Sequence, residues 1–335
     1  MKALIYTGVE QLSYQDSPMP KPGDGEVLVR ITASGICGSD MHAFLGHDER
    51  RPAPLILGHE AAGYVVENGT DTRRVAINPL VNCGTCRDCQ AGKENLCAKR
   101  QIISMMPREG AFAEYVAIPE RNLVTVPDGV PLEHAALTEP QAVSWHGVRL
   151  GQKILDTPLG GLKSVVIGGG AIGVGAALAL KAFGADDITL LEPNETRRTA
   201  LQAIGGFKVA DPEDATACDA ATADFVIDGV GFEATRAKAC SLVRQGGVIA
   251  HIGLGDNAGG LDVRRMTLQE ITFIGCYTYT MQDFRDTAAA IFEGRLGTLD
   301  WIEQRALSDG QSAFDDIRAG RTAAPKIILI PAHEE

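Results

Sequence analysis

The sequence predicts an α/β protein that joins a doubly wound parallel sheet to a β-rich domain of short strands. From residue 163 to about residue 279, apolar runs alternate with helix-compatible segments, the order of strands and crossover helices in a parallel sheet. Residues 1 to about 135 hold short strand patterns separated by frequent Gly and Pro, which favours a small barrel or sandwich. A last strand pattern, at residues 326–330, need not belong to the parallel sheet and can return to the N-terminal domain.

The stretch at residues 164–192 predicts a dinucleotide-binding βαβ unit. An apolar run is followed by Gly168, Gly170 and Gly173 in a G-x-G-x-x-G pattern, then by an alanine-rich segment and a second apolar run. Gly168 permits the tight turn, Gly170 lets the backbone approach a pyrophosphate, and Gly173 lets the helix pack on the strand. Glu192, about 20 residues on, is placed to accept hydrogen bonds from an adenosine ribose.

The charge at the end of the second apolar run favours NAD over NADP. Glu192 should repel a 2′-phosphate, whereas Arg197 and Arg198 follow closely and can contact the adenosine edge, so NADP stays open as the less favoured cofactor. Further residues expected to bind the cofactor lie in the turn and near the ends of later strands: Ala171, Ile172, Val230, Ile252 and Gly253.

Length and charge limit the classes of function. The 335 residues are enough for two domains, and the formal net charge of −12, with 31 basic and 43 acidic residues, disfavours a nucleic-acid or anionic-membrane partner. The first residues have too short an apolar run for a signal peptide, and no stretch predicts a transmembrane helix. We therefore expect a cytoplasmic protein that acts on a small molecule.

The sequence predicts further helices and strands outside these motifs. Residues 131–150 look helical, with an interruption at Pro140. Helical stretches are expected at 196–204 and 233–242, and two more follow Asp283. Predicted strands lie at 26–33, within 58–69, 73–80 and 109–130, and at 165–167, 188–191, 225–230, 248–254 and 271–276.

A cluster of four cysteines predicts a structural zinc lobe at about residues 83–97. The spacing is C-x2-C-x2-C-x7-C, formed by Cys83, Cys86, Cys89 and Cys97. Four thiolates suit tetrahedral zinc and leave no open position. An iron–sulfur cluster is the chemical rival, but its bacterial pattern has a closer fourth cysteine followed by Pro. A nucleic-acid-binding zinc ribbon is disfavoured by the acidic balance and by the βαβ unit.

A second, dispersed set of residues predicts a catalytic metal site. Cys37 lies in GICGSDMH, His59 and Glu60 lie in LGHE, and Glu139 lies in LTEP. One thiolate, one imidazole and one or two carboxylates make an incomplete shell that leaves room for water or a substrate oxygen. Taken singly, each has an ordinary structural role: a buried thiol, a turn, or the start of a helix. The metal site is predicted only from all four residues taken together with the cysteine lobe and the dinucleotide-binding βαβ unit.

These motifs resemble the zinc-dependent medium-chain dehydrogenase/reductase family, in the branch of sorbitol and threonine dehydrogenases. The resemblance covers essentially the whole chain. It implies a GroES-like catalytic domain made of residues 1–135 and 280–335, and a Rossmann NAD-binding domain at 136–279. It also implies that Cys37, His59 and either Glu60 or Glu139 hold a catalytic zinc. A homo-oligomer, a dimer or tetramer, is expected from the resemblance alone, and strand 271–276 can pair with a partner's sheet.

The implied activity is NAD(H)-linked interconversion of a secondary alcohol (a polyol, sugar alcohol or hydroxy amino acid) and its ketone by hydride transfer. Ser39 and His42 are candidates to relay the alcohol proton through the cofactor ribose, against roles as a loop hydrogen bond and a surface side chain. The alternatives are a primary-alcohol or aldehyde reductase and a catalytically silent protein that binds zinc and cofactor. Thr278 stands where sorbitol dehydrogenases carry Arg, and the charged loop at 42–57 is either solvated or in contact with a polar substrate.

Overall fold

Short strands and turns build the N-terminal region, as predicted. The computed structural model describes residues 1–214 and 216–333 of the chain. In this region the helices are α1 (Gly38–Phe44), α2 (Arg87–Gln90) and α3 (Leu132–Ala136). The strands are β1 (Lys2–Gly8), β2 (Gln11–Asp16), β3 (Glu26–Gly35), β4 (Leu55–Ile56), β5 (Glu60–Glu67), β6 (Thr70–Ile77), β7 (Leu80–Val81), β8 (Gln101–Ile102), β9 (Tyr115–Pro119) and β10 (Leu123–Thr125).

Strand β3 lies at the centre of the main N-terminal sheet. It pairs antiparallel with β5 and β9, and β5 continues into β6 and β10. The β5–β6 hairpin turns at Asn68 and Gly69, both with positive φ, as two-residue hairpin loops require. Smaller sheets join β2, β1 and β4, and β7 with β8. Cys37 follows the end of β3 and His59 precedes β5, so this pairing brings two predicted metal ligands together.

The middle of the chain forms the predicted parallel sheet. Its order is β13-β12-β11-β14-β15-β16, which is the doubly wound arrangement with the first strand of the unit at the centre. The strands are β11 (Lys163–Ile167), β12 (Asp187–Leu191), β13 (Lys208–Ala210), β14 (Ala223–Asp228), β15 (Val243–His251) and β16 (Thr272–Gly275). The helices are α4 (Thr138–Leu155), α5 (Ala171–Ala182), α6 (Glu195–Ile204), α7 (Glu233–Leu242) and α8 (Val263–Leu268). The predicted fold class is therefore confirmed.

Several predicted boundaries differ from the structure, and two of them have an identifiable local reason. Pro140 does not interrupt a helix: the break falls at Leu137, between α3 and α4, and Pro140 lies in the first turn of α4. Backbone N–H groups in a first turn have no intrahelical partner, so Pro costs no hydrogen bond there. The strand predicted at 248–254 ends at His251, because the N–H groups of Ile252 and Gly253 turn back to the carbonyl of Asp228.

The C-terminal tail returns to the N-terminal sheet, as expected. After α9 (Met281–Phe292) the chain forms β17 (Ile302–Ala306), α10 (Gly310–Arg318) and β18 (Lys326–Ile330). Strand β18 pairs antiparallel with the end of β3 and parallel with β17. Helix α9 follows the predicted domain limit at residue 280 but packs against α4, which lies in the middle part of the chain. The limits of the two domains therefore stay a prediction. Within the described residues, no helix is both long enough and apolar enough to span a membrane.

Candidate active site

The fold brings three of the predicted metal ligands together. One donor atom each from Cys37, His59 and Glu60 lie within 4.8 Å of one another, and His59 and Glu60 are buried. A thiolate, an imidazole and a carboxylate form a donor set that fits zinc and leaves a coordination position open. Cys37 is the N-cap of α1 and Glu60 begins β5, so the pairing of β3 with β5 fixes their separation.

Asp40 orients this centre, a role that the sequence reasoning missed. Its buried carboxylate accepts hydrogen bonds from the backbone N–H groups of Cys37 (3.0 Å) and Gly58 (3.2 Å). It also lies 3.3 Å from Nδ1 of His59, and the Ser104 hydroxyl lies 3.4 Å from the same nitrogen. With Nδ1 engaged, Nε2 is the imidazole nitrogen left for a metal. The position of Asp40 three residues after Cys37, in the first turn of α1, was the available signal.

A buried lysine forms an ion pair with Glu60. Lys326 Nζ lies 2.7 Å from each carboxylate oxygen of Glu60 and donates to the carbonyl of Ile36 at 2.7 Å. Lys326 is 5% exposed and Glu60 is fully buried. Burial opposes the lysine charge, but Glu60 and Cys37 hold the pKa of Lys326 above its ordinary value. No local pattern marks this pair, because the two residues are 266 positions apart.

Glu139 lies beside this centre rather than within the three-residue group. It belongs to the first turn of α4 and is 6% exposed. Its Oε1 accepts a hydrogen bond of 2.7 Å from the hydroxyl of Tyr279, which is fully buried. Burial and the nearby Glu60 carboxylate raise the pKa of Glu139 to about 7, although His59 and Tyr279 act in the opposite direction. Tyr279 was another residue that the sequence reasoning did not assign to the site.

The two candidates for a proton relay lie on α1. The backbone carbonyl of Ser39 accepts a hydrogen bond of 3.0 Å from Arg51. His42 is exposed, and its ring centroid lies 6.4 Å from that of His47. Arg51 itself is 2% exposed and also bonds Asp48 and the carbonyl of Ser104. The buried guanidinium of Arg51 therefore attaches the charged loop to the site through these hydrogen bonds. The proton relay through Ser39 and His42 stays a prediction.

The four cysteines of the lobe converge on one point. Sγ–Sγ distances are 3.9 Å for Cys83–Cys89, 3.5 Å for Cys86–Cys89 and 3.6 Å for Cys97–Cys83. Tetrahedral zinc with sulfur at 2.3 Å places sulfur atoms about 3.8 Å apart. Backbone N–H groups of Thr85 and Cys86 lower the pKa of Cys83 to about 6, whereas burial and the neighbouring sulfurs raise that of Cys89 to about 12. Four thiolates in this space need a cation, so the set fits zinc.

The glycine turn after β11 has the geometry of a nucleotide-binding turn. Gly168 has φ +100°, a conformation that residues with a side chain rarely adopt. A Cβ on Gly173 would lie 1.7 Å from the carbonyl oxygen of Gly168, so helix and turn approach as closely as glycine allows. A Cβ on Gly170 would meet no heavy atom within 4 Å, so this N-cap of α5 faces open space. Helix N-termini of this kind bind phosphate.

The acidic residue after β12 is buried and hydrogen-bonded. Glu192 is 5% exposed, and its carboxylate accepts from the backbone N–H groups of Gly169 (2.8 Å) and Asn194 (2.9 Å). Arg197 Nη1 lies 3.8 Å from the same carboxylate. Arg198 points elsewhere: it bonds the carbonyls of Glu192 and Pro193, and it pairs with Asp211. Of the two arginines, Arg197 is the one at the nucleotide side.

A cleft of about 270 Å³ joins the two halves of the site. One wall carries Cys37, Glu60 and Lys326, and the other carries Arg197 and the start of α5 with Gly170, Ala171 and Ile172. In the described part of the chain, Ser39, His42 and Glu139 do not line this cleft. The remaining cofactor candidates sit at the strand ends beside the turn. Val230 packs against Gly168 and lies next to Gly253, and Ile252 is buried against α4.

Comparison with known proteins agrees with this arrangement. The family model described as the alcohol dehydrogenase GroES-like domain matches residues 23–128. The model described as zinc-binding dehydrogenase matches residues 171–293. The first match holds Cys37, His59 and the cysteine lobe, and the second begins at the N-terminal end of α5 and contains Glu192.

Relatives that match most of the chain include dehydrogenases and reductases. L-galactonate-5-dehydrogenase of Escherichia coli K12 is 31% identical over 309 residues, 88% of each chain. The probable D-xylulose reductase A of Neosartorya fischeri is 29% identical and covers 95% of this chain and 94% of its own.

Solved structures share the fold along almost the whole chain. An acetophenone reductase from Geotrichum candidum in complex with NAD superposes with a TM-score of 0.86 at 29% identity, covering 98% of this chain and 96% of its own. A zinc-binding dehydrogenase from Sinorhizobium meliloti bound to NADP has a TM-score of 0.86 at 27% identity, covering 98% and 99%. The chain belongs to the zinc-dependent medium-chain dehydrogenase/reductase family, the alcohol dehydrogenase superfamily, and is an oxidoreductase.

Proposed function

We propose that the chain is a zinc-dependent, NAD(H)-linked dehydrogenase that interconverts a secondary alcohol and its ketone. The observation that carries this proposal is the cleft whose walls are the Cys37–Glu60 centre and the glycine turn. A metal-holding donor set and a phosphate-binding helix terminus on facing walls can hold a substrate oxygen and a nicotinamide in one space.

The residues divide the chemical work between the two walls. Cys37, His59 and a carboxylate would hold zinc, which supplies Lewis-acid polarisation of a substrate oxygen. Glu60 is proposed as the resting third ligand, because its donor atom falls in the group with Cys37 and His59. Glu139, with its pKa raised to about 7, is proposed as the adjacent carboxylate that can hold or release a proton near neutral pH. Ser39 and His42 remain the proposed relay toward the cofactor ribose.

The cofactor is proposed to be NAD. Glu192 is buried and Arg198 points away, so little space and little positive charge are available for a 2′-phosphate. Arg197 lies beside Glu192, where it can contact the adenosine. The turn residues Gly168, Gly170 and Gly173 are proposed to receive the pyrophosphate. Initial rates with NAD and NADP at equal concentration test the choice, and a clear preference for NADP would contradict it.

The substrate class is proposed to be a polyol, sugar alcohol or hydroxy amino acid. Support comes from relatives named as a D-xylulose reductase and an L-galactonate dehydrogenase. An oxidation screen with NAD over polyols, sugar acids, hydroxy amino acids and primary alcohols tests this. Turnover of secondary alcohols only is expected; turnover confined to primary alcohols would favour the aldehyde-reductase alternative, and no turnover at all would favour the silent one.

The quaternary state is proposed to be a homo-oligomer built on the edge strand β16. This strand ends the parallel sheet, and exposed apolar residues lie in the loop after β15 and in α8: Leu254 (73% exposed), Val263 (66%) and Leu268 (70%). An open strand edge with apolar neighbours suits pairing with a second copy. Light scattering on the wild type and on Val263→Lys tests the proposal, and a monomeric wild type would refute it.

The compartment is proposed to be the cytoplasm. None of the eight cysteines, all within the described residues, forms a disulfide, a state that reducing compartments maintain. Cell fractionation tests this, and recovery of the protein in an oxidising compartment would contradict it.

A further inference from the structure

The segment that leads from β16 into the first turn of α9 touches three parts of the site at once. It runs from Tyr277 to Asp283 and contains Tyr279, the hydrogen-bond donor to Glu139. One of its ends contacts the cysteine lobe, and the other contacts the helix that carries Glu139. This segment is called the bridge below.

The bridge holds Glu139 through a single, fully buried donor. The hydroxyl of Tyr279 lies 2.7 Å from Oε1 of Glu139, and the Tyr279 side chain has no exposed surface. Burial and the carboxylate of Glu139 keep the pKa of Tyr279 well above its ordinary value, so the phenol donates the proton of this bond. A carboxylate at the first turn of a helix has several rotamers, and this bond selects one of them.

The first end of the bridge is fixed on the cysteine lobe. The Nε of Arg100 lies 3.2 Å from the hydroxyl of Tyr277, and its guanidinium stands 4.7 Å from the centre of the Tyr277 ring. Arg100 also donates to the carbonyl of Cys97, one of the four ligands, at 3.0 Å. Asn95, within the same lobe, donates to the backbone carbonyl of Tyr277 at 2.8 Å. The lobe therefore contacts the backbone of the bridge through Asn95, and Arg100, three residues after the last cysteine of the lobe, contacts its side chain.

The second end of the bridge is fixed on α4. Asp283 is 1% exposed, caps α9 through Thr280, and accepts from His146 at 2.8 Å and from Arg149 at 2.9 Å. His146 and Arg149 lie on α4, the helix whose first turn carries Glu139. The second end of the bridge is thus attached to the helix that carries Glu139, the residue to which Tyr279 donates its hydrogen bond.

Between the two fixed ends lies a strained residue. Thr278 has φ +48°, a left-handed conformation that is rare for a β-branched side chain. Such a conformation is strained and persists only where the surroundings over-determine it. The contacts at Tyr277 and Asp283 supply that constraint, so release of either end would let the backbone at Thr278 relax and move Tyr279.

We propose that the cysteine lobe sets the position of Glu139 through the bridge, with Tyr279 as the positioning residue. The lobe then has a role beyond holding its own fold: it fixes the geometry of the Glu139 carboxylate. This inference rests on the proposed function, because Glu139 matters for the rate only in an active dehydrogenase. Its structural part concerns the geometry around Glu139 and can be tested without turnover.

The experiment compares Tyr279→Phe, which removes only the hydroxyl, with Tyr6→Phe, another buried tyrosine. We expect kcat/KM for the alcohol to fall about tenfold, the size of a lost hydrogen bond to a charged group, with the KM for NAD unchanged. In the cobalt-substituted protein, the visible absorption of the catalytic site should shift while that of the sulfur site stays. Wild-type kcat/KM together with a wild-type cobalt spectrum in Tyr279→Phe would overturn the proposal.

The role of the lobe is tested by Arg100→Met, which removes the side chain bonded to both Cys97 and Tyr277, against Arg87→Met, an exposed arginine within the lobe. Arg100→Met should give the same spectral shift and a smaller fall in kcat/KM with full zinc content, and Arg87→Met should give neither. Equal behaviour of the two variants would overturn the coupling. If the wild type oxidises no alcohol, the proposed function fails, whereas the cobalt spectra still decide whether the bridge positions Glu139.

Discussion

Lys326 and Glu60 form a two-point ion pair, with the ammonium nitrogen 2.7 Å from each carboxylate oxygen. Both residues are buried, and Lys326 is further tied to the carbonyl of Ile36, the residue before Cys37. The pair therefore joins β18 to two of the proposed metal ligands. A carboxylate oxygen has more than one lone pair, so Glu60 can keep this partner while it serves a metal.

Replacement of this lysine should destabilise the protein strongly. Lys326→Met leaves the buried carboxylate of Glu60 without its partner, and breaking one side of a buried pair costs about 3–5 kcal/mol. Urea unfolding at neutral pH measures the loss. The double variant Lys326→Met with Glu60→Gln should be less destabilised than Lys326→Met alone, because no buried charge is then left unpaired. A single variant as stable as wild type would contradict the expectation.

Metal content should separate the two zinc sites. The two donor groups predict two zinc ions per chain, one at Cys37, His59 and Glu60 and one at the four cysteines. Cys37→Ser should lose one equivalent and most activity with little change in thermal stability. Cys97→Ser should lose the other equivalent and unfold at a lower temperature. Elemental analysis and thermal unfolding measure both, with the buried Cys240→Ser as control. Unchanged zinc content in Cys37→Ser would contradict the assignment.

Acid should weaken the bridge through Asp283. Burial disfavours ionisation of this carboxyl, but hydrogen bonds from His146, Arg149 and Thr280 hold its pKa well below the usual range. A depressed folded-state pKa contributes stability above the unfolded value of about 3.9, and that contribution is lost as pH falls through the folded-state pKa. Asp283→Asn should therefore be less stable than wild type at pH 7, and the difference should shrink in acid.

Denaturant unfolding between pH 7 and pH 3 measures this, with Asp286→Asn on the same helix as the control. A constant difference between wild type and Asp283→Asn across that range would show that the carboxylate contributes no pH-dependent stability.

Cofactor preference should depend on Glu192. Glu192→Gln keeps an oxygen for the N–H of Gly169 but removes the charge that disfavours a 2′-phosphate. The ratio of kcat/KM for NAD to that for NADP should fall about tenfold, equivalent to about 1.4 kcal/mol. Steady-state kinetics with both cofactors measure it. Glu195→Gln, in the first turn of α6, is the matched control and should leave the ratio unchanged.

Sequence patterns predicted those parts of the fold that depend on interactions between residues close together in the chain. The glycine spacing and buried runs specified the β11–α5–β12 unit, and the cysteine spacing specified the lobe. The predicted break at Pro140 was wrong because proline breaks a helix interior but is tolerated in a first turn. Only the position of the actual break, at Leu137, shows that Pro140 lies in a first turn.

The residues that support the ligands could not be predicted in the same way. Lys326 and Tyr279 reach Glu60 and Glu139 across 266 and 140 positions, so only the folded topology brings each pair together. Asp40 is different, since it lies three residues from Cys37 at a helix start, and its role was open to sequence reasoning.

The distance along the chain between Glu60 and Lys326 also sets an order of events during synthesis. Glu60 leaves the ribosome 266 residues before Lys326, and the whole parallel sheet is synthesised between the two. Until β18 arrives, the N-terminal sheet lacks a strand beside β3, and the carboxylate lacks its cation. A chain whose synthesis stops before β18 therefore carries Cys37, His59 and Glu60 at the paired ends of β3 and β5 but leaves the Glu60 carboxylate without its buried cation.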